Sequence, residues 1–342
     1  MLQQSTPVGN GGSNTPESGR IRCVMLSVML VTIGGPASAG AQQSAFEIPR
    51  WLYPGVGPLT AAPSSDTGAA LHVPGSRRTF TLAQTRDRIN PPDWFPELHP
   101  PAPDAVVRAR PAGLFACGYC HLPDGSGRSE NATLSGLPAD YIERQMADFR
   151  SGARRSASAT GASTNMIEVA KRATATESRE AARYFERLRT KPRYTVVERT
   201  VIPRTYEVGY LYAVPSGADS EPLGQRLIEV TNDIERHELR DPGETFTTFV
   251  PPGSIARGRR IASNPSLGAP TRCVTCHGMS LKGTAVAPPL AGRSPAYILR
   301  QLVAFRVGTR AGSASTVMRT ATEKLDLDDM ISVAAYAGSR RP

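Results

Sequence analysis

Cys117-Gly118-Tyr119-Cys120-His121 and Cys273-Val274-Thr275-Cys276-His277 decide how this 342-residue chain is read. Each is Cys-x-x-Cys-His, the spacing at which two thiols form thioethers to the vinyl groups of a c-type haem. The adjacent His then becomes the proximal iron ligand. A bare Cys-x-x-Cys also serves thioredoxin-like redox pairs and half-sites for zinc. The following His, the duplication and an export signal favour haem instead. Two covalently bound haem c groups are expected, on Cys117 and Cys120 and on Cys273 and Cys276, with His121 and His277 on the irons. The chemistry this implies is one-electron transfer.

The two motifs lie 156 residues apart, and the sequence downstream of each recurs at the same offset. Residues 136–152 read GLPADYIERQMADFRSG and residues 292–308 read GRSPAYILRQLVAFRVG, with Tyr, Ile, Arg, Gln, Phe, Arg and Gly in register without a gap. One module is present twice, at 106–190 and 254–342. Ile142, Met146 and Phe149, and Ile298, Leu302 and Phe305, recur at helical spacing. Pro138 and Pro295 suit a first helical position, Ser294 an N-cap, and Gly152 and Gly308 the ends. A further helix closes each module, at about 177–188 and 327–337.

Composition agrees with a haem-filled fold. Hydrophobic residues make up 39% and aromatics 6%, a thin core that a buried macrocycle would thicken. Residues 1–41 read as a signal peptide, with Arg20 and Arg22, the apolar run Cys23–Ile33, and small-residue cleavage sites after Ala39 or Ala41. That run is too short to span a bilayer. Of five Cys, Cys23 leaves with the signal and the two motifs use the other four. The net charge is +10, and residues 150–204 hold 13 Lys/Arg against 5 Asp/Glu. Such a surface either steers acidic partners or is a solvated helical face. Nucleic-acid binding fits an exported haem protein poorly.

Between the modules, 191–253 has another character. Tyr194–Ile202, Tyr206–Val214 and Leu227–Val230 read as three strands of a small β-rich insert. Residues 42–105 are Pro-rich and read as an irregular N-terminal arm that wraps the modules.

Each module resembles a class I cytochrome c domain, and the tandem resembles the exported dihaem cytochromes c. In the second module the resemblance runs through Cys273, Cys276, His277, Gly278, Pro288, Leu290, Gly292, the 297–308 helix, Met318 and the 328–336 helix. In the first it covers about 108–188 and is weaker. It implies a mainly α fold of two helical haem domains, a proximal His and a distal Met. Carried onto this chain, the distal ligands are Met166 and Met318, each expected in a loop ahead of the last helix. Met279 lies too close to its His, and Met146 and Met330 sit on apolar helix faces. His99 stays open as the candidate for a bis-His haem, whereas His72 and His237 read as surface or hydrogen-bonded residues. The family's Pro before the Leu near the proximal His is Pro288 in the second module but Ala132 in the first. A less fixed carbonyl there would make the two haem potentials differ.

The resulting expectation is a periplasmic dihaem carrier. It would take single electrons from a dehydrogenase or quinol-oxidising complex and pass them to an oxidase or reductase, or serve as the cytochrome subunit of one such enzyme. The alternative is a dihaem peroxidase-type oxidoreductase with one open or labile haem site. No Ser/His/Asp or paired-carboxylate constellation supports a hydrolase, and no catalytic residue is assigned.

Overall fold

The computed structural model describes residues 46–55, 68–109, 115–158, 163–264 and 272–342. The signal segment expected at 1–41 lies outside them, as does part of the arm. In the arm, Thr81 and Gln84 form a reciprocal capping box that starts the one-turn helix α1 (Leu82–Thr85). Trp94 is buried, meets Phe80 edge to face, and donates its indole N–H to the Leu239 carbonyl at 2.8 Å. The arm is thereby tied to the insert.

The first module comprises α2 (Asp104–Val107), α3 (Cys117–His121), α4 (Ala139–Ser151), α5 (Ser163–Arg172) and α6 (Ala175–Glu186). In α4 the apolar stripe buries Ile142 and Phe149, and Gly152 ends the helix in the left-handed conformation. Pro138 is the N-cap rather than the first helical residue. A Thr174/Glu177 capping box starts α6. Ala181, Ala182, Tyr184 and Phe185 of α6 pack with Val106, Leu137 and Ile142 as this module's core.

The insert holds β1 (Tyr194–Glu198), β2 (Val201–Pro203), β3 (Tyr206–Val208), β4 (Leu211–Ala213), β5 (Ser220–Pro222), β6 (Ile228–Thr231) and β7 (Phe246–Val250), with α7 (Ile234–Glu238) between the last two. Five strands form a mixed sheet in the order β1-β7-β6-β4-β3, and β2 and β5 pair apart from it. The three expected stretches thus become five short strands, and two more join them. Tyr194–Ile202 breaks into β1 and β2, Tyr206–Val214 folds back as the β3/β4 hairpin, and β5 and β7 had no expectation behind them.

The second module comprises α8 (Ser254–Ser263), α9 (Cys273–His277), α10 (Pro295–Arg306), α11 (Thr316–Thr322) and α12 (Leu327–Gly338). Ser294 caps α10 by accepting from the Tyr297 N–H at 3.0 Å, with Pro295 first in the helix. Asp326 caps α12 in the same way at 2.7 Å. A Cβ on Gly258 of α8 would run into the Ser332 carbonyl of α12, so glycine there lets the two helices touch backbone to backbone. The core of α8, α10 and α12 also takes in Leu52 of the arm and Leu227 and Val250 of the insert. Among the described residues no helix is long and apolar enough to cross a membrane.

Candidate functional site

Each Cys-x-x-Cys-His forms a single helical turn, α3 or α9, after which the chain turns out through a positive φ. Gly278 does this at 80° without strain, whereas Leu122 does it at 60°. For a non-glycine residue that backbone costs on the order of 1–3 kcal/mol, offset here by burial of the Leu122 side chain. Positive φ also recurs at the 156-residue offset at 125 and 281, 127 and 283, and 136 and 292. So do the hydrogen bonds. Gly127 N–H reaches His121 O at 2.8 Å as Gly283 N–H reaches His277 O at 2.9 Å, and Leu134 to Gly125 matches Leu290 to Leu281, both at 2.8 Å. One loop is folded twice.

The imidazoles are held alike. His121 Nδ1 lies 2.8 Å from Ala132 O, and His277 Nδ1 lies 2.8 Å from Pro288 O. A carbonyl only accepts, so Nδ1 carries the proton and Nε2 keeps its lone pair for a metal. Burial lowers both pKa values, which favours the neutral ring that ligation needs. The four cysteines are unbridged and half-buried. Burial pushes Cys117, Cys120 and Cys273 up, away from the depressed values of reactive dithiols. Donor set, tautomer and thiol chemistry all fit covalent haem.

The substitution of Ala132 for proline leaves this bond as short as its counterpart. Three guanidinium groups fix the first-module loop instead. Arg193 of the insert donates to the Ser126 and Gly127 carbonyls, Arg293 to those of Thr133 and Ser135, and Arg300 to that of Ser129. The local expectation of a loose carbonyl missed supports that come from elsewhere in the chain.

Met166 and Met318 need correction as to setting. Both lie within helices, Met166 in α5 and Met318 in α11, rather than in loops. Arg150 closes the end of α5 through the Ala170 and Ala173 carbonyls, at 2.8 and 3.1 Å. Thr322 closes α11 through the carbonyls of Met318 and Arg319. Met318 packs half-buried against the second core, and Met166 is also half-buried. His99 is engaged at both ring nitrogens, with Tyr184 Oη 2.9 Å from Nδ1 and Asp93 Oδ1 3.2 Å from Nε2. His237 is buried with Nδ1 against Glu244, and His72 is exposed.

The modules meet at a contact between repeat-equivalent residues, which the motifs alone do not reveal. Arg155 N–H donates to Thr309 O at 2.8 Å, and Ala311 N–H donates to Ala153 O at 2.7 Å. Between these bonds Arg154 faces Arg310. The Arg154 guanidinium reaches Gln145 of its own module and Tyr297 and Gln301 of the other. Arg310 mirrors it, reaching Gln301, Tyr141 and Gln145. Both arginines are buried, each stacked on a phenylalanine, Phe149 or Phe305. Their described acceptors are neutral amides and hydroxyls, and Arg310 Nε has no acceptor among the described residues. The shared offset of Arg154 and Arg310 was the signal available for finding them.

No protein-family model matches the chain. It is 26% identical over 231 residues to the thiosulfate dehydrogenase electron acceptor of Stutzerimonas stutzeri, covering 67% of this chain and 80% of that one. Identity to cytochrome c4 of Pseudomonas aeruginosa is 26% over 229 residues, covering 66% and 84%. Over 69 residues it is 35% identical to cytochrome c-554(548) of Halomonas halodenitrificans, 83% of which is covered. With a Cys-x-x-Cys-His loop folded twice and relatives of this kind, the chain belongs to the class I cytochromes c in their tandem form, electron-transfer proteins that carry covalently bound haem c.

Proposed function

We propose that the protein is a periplasmic dihaem electron carrier, with one haem c on Cys117 and Cys120 and a second on Cys273 and Cys276. The observation that most supports this is the duplicated loop, in which both histidines make the same 2.8 Å bond to a carbonyl. Haem, when bound, supplies reversible one-electron chemistry at its iron. The chain's own residues do the rest. The cysteines anchor the macrocycle, and His121 and His277 present Nε2 with the ring fixed through Nδ1. Met166 and Met318 would supply the thioether ligands. Arg154 and Arg310, buried with only amide and hydroxyl acceptors in direct contact, would be available to balance haem carboxylates. Their contact ties one module to the other.

The donor in this reading is a periplasmic dehydrogenase. A thiosulfate-oxidising one is the first to try, because the Stutzerimonas relative is named as the electron acceptor of such an enzyme. Lys171, Arg172, Arg179, Arg183 and Arg187 are exposed on α5 and α6 and just after α6, which favours an acidic partner. An optical redox titration of the purified holoprotein, paired with a peroxide assay using a reduced dye, tests the proposal. Two one-electron waves and no peroxide turnover are expected. Peroxide turnover, or a single haem wave, would overturn it.

A further inference from the structure

The insert lays an arginine on the first haem motif. Arg240 follows α7 with φ of 58° and is 9% exposed. Its guanidinium carbon stands 3.6 Å from the centre of the Tyr119 ring. Nη1 donates to the Tyr119 carbonyl at 2.7 Å, and Nε donates to Thr85 O at 2.9 Å. Tyr119 lies between the two motif cysteines and next to Cys120. At the matching place in the second motif stands Thr275, which is exposed.

The lack of a carboxylate in direct contact sets Arg240 apart from its neighbours, Glu130 acting on it only from a distance and Arg128 opposing that. Arg128 pairs with Glu130 at 3.1 Å, Arg193 with Glu244 at 3.8 Å, Arg236 with Asp241 at 2.6 Å and Arg86 with Glu238 at 3.8 Å. The acceptors of Arg240 are two neutral carbonyls. His237 adds no balancing or opposing charge, because burial pushes it down to about 3 and keeps it neutral. Burial brings Arg240 itself down to about 10, still protonated at neutral pH. A buried cation without a carboxylate in direct contact is unfavourable unless something else offsets it, and this one is held against the peptide that would anchor a haem.

We propose that Arg240 is a redox-positioning residue, a fixed cation that the insert seats on the first motif to raise the reduction potential of the haem attached there. The proposal rests on the two-haem reading. On reduction the haem takes one electron from the reductant, no bond forms or breaks, and its net charge falls by one. A nearby cation in a poorly screened setting favours the reduced form. The second haem, whose motif carries Thr275 in place of Tyr119, lacks this contribution. The insert then has a purpose that a bare pair of cytochrome modules would not need it for.

The test is an optically monitored redox titration of full-length holoprotein carrying Arg240→Gln or Arg240→Lys, with haem-to-protein ratio measured on each sample. Arg240→Gln should lower one midpoint and leave the other in place, and Arg240→Lys should restore most of the shift. With both haems attached, two unchanged midpoints in Arg240→Gln would overturn the proposal. A Lys variant as low as the Gln variant would also overturn it, because ring packing rather than charge would then be responsible. A wild-type chain with fewer than two haems would instead defeat the two-haem reading. If Arg240→Gln fails to take up the first haem, Glu130→Gln decides. Removing that anion beside Arg128 should raise the same midpoint, and no movement or a fall would count against a charge effect.

Discussion

Both ring nitrogens of His99 face partners that call for a proton. Tyr184 spends its own hydroxyl proton on the Pro123 carbonyl, so His99 Nδ1 donates to it, while Nε2 points at the Asp93 carboxylate. Burial is the largest single influence and works against the charged ring, but the hydrogen bonds to Asp93 and Pro100 and the charges of Asp93 and Asp124 together outweigh it, and the pKa is raised. A raised folded-state pKa adds stability that is fully present below about 6.5 and is lost as pH rises through the folded value. The urea midpoint should therefore fall as the pH rises above about 6.5, and His99→Gln should remove that part of the pH dependence. At the same scale, Met318→Ala and Met166→Ala should each keep both haems attached but abolish the weak far-red sulfur-to-iron band of one of them. An unchanged spectrum would remove that methionine as a ligand. The paired loops around the cysteines and histidines were legible because the Cys-x-x-Cys-His spacing is contiguous. The methionines lie 45 and 41 residues downstream of their histidines, where a helix and a loop cannot be told apart by spacing alone.

Among the elements, α4, α6, α10 and α12 were legible within a residue or two, because their apolar stripes and caps are local. Ser294 and Asp326 lie next to the turns they cap. The insert was less legible because its pairing is not local. β7 alternates buried Phe246, Thr248 and Val250 with half-buried residues, yet its partner β1 lies some fifty residues earlier and runs parallel to it. Nothing near β7 marks that pairing. The helix α8 was missed although it carries the closest packing of the second module. Gly258→Ala tests that packing. Alanine would gain about 1 kcal/mol of helix propensity, but overpacking against the Ser332 carbonyl should cost about 1–3 kcal/mol or more. A net fall in the thermal midpoint is expected, and a rise would mean that α8 and α12 can move apart freely.

At the level of the whole molecule, the arm, insert and modules are joined by buried polar groups. Glu229 of β6 accepts from Ser129 of the first module, Thr248 of β7 and Ser294 of the second module, at 2.9, 3.0 and 2.7 Å. The Arg154/Arg310 contact joins the modules directly. Truncating Arg154 to Ala takes the guanidinium donor from Tyr297 and truncating Arg310 takes it from Tyr141, while Gln145 and Gln301 each keep the other arginine, a loss of about 1–3 kcal/mol for the one group left unpaired. It should also change the potentials of both haems together, unlike the single shift expected at Arg240. Haem count and ligation underlie all of these expectations. The decisive measurement is the intact mass of the purified chain, taken with oxidised and reduced spectra that include the far-red band. A tandem carrier requires two covalent haems per chain, both low-spin and both with the sulfur-to-iron band. A single attached haem, or one that is high-spin and lacks the band, would contradict it.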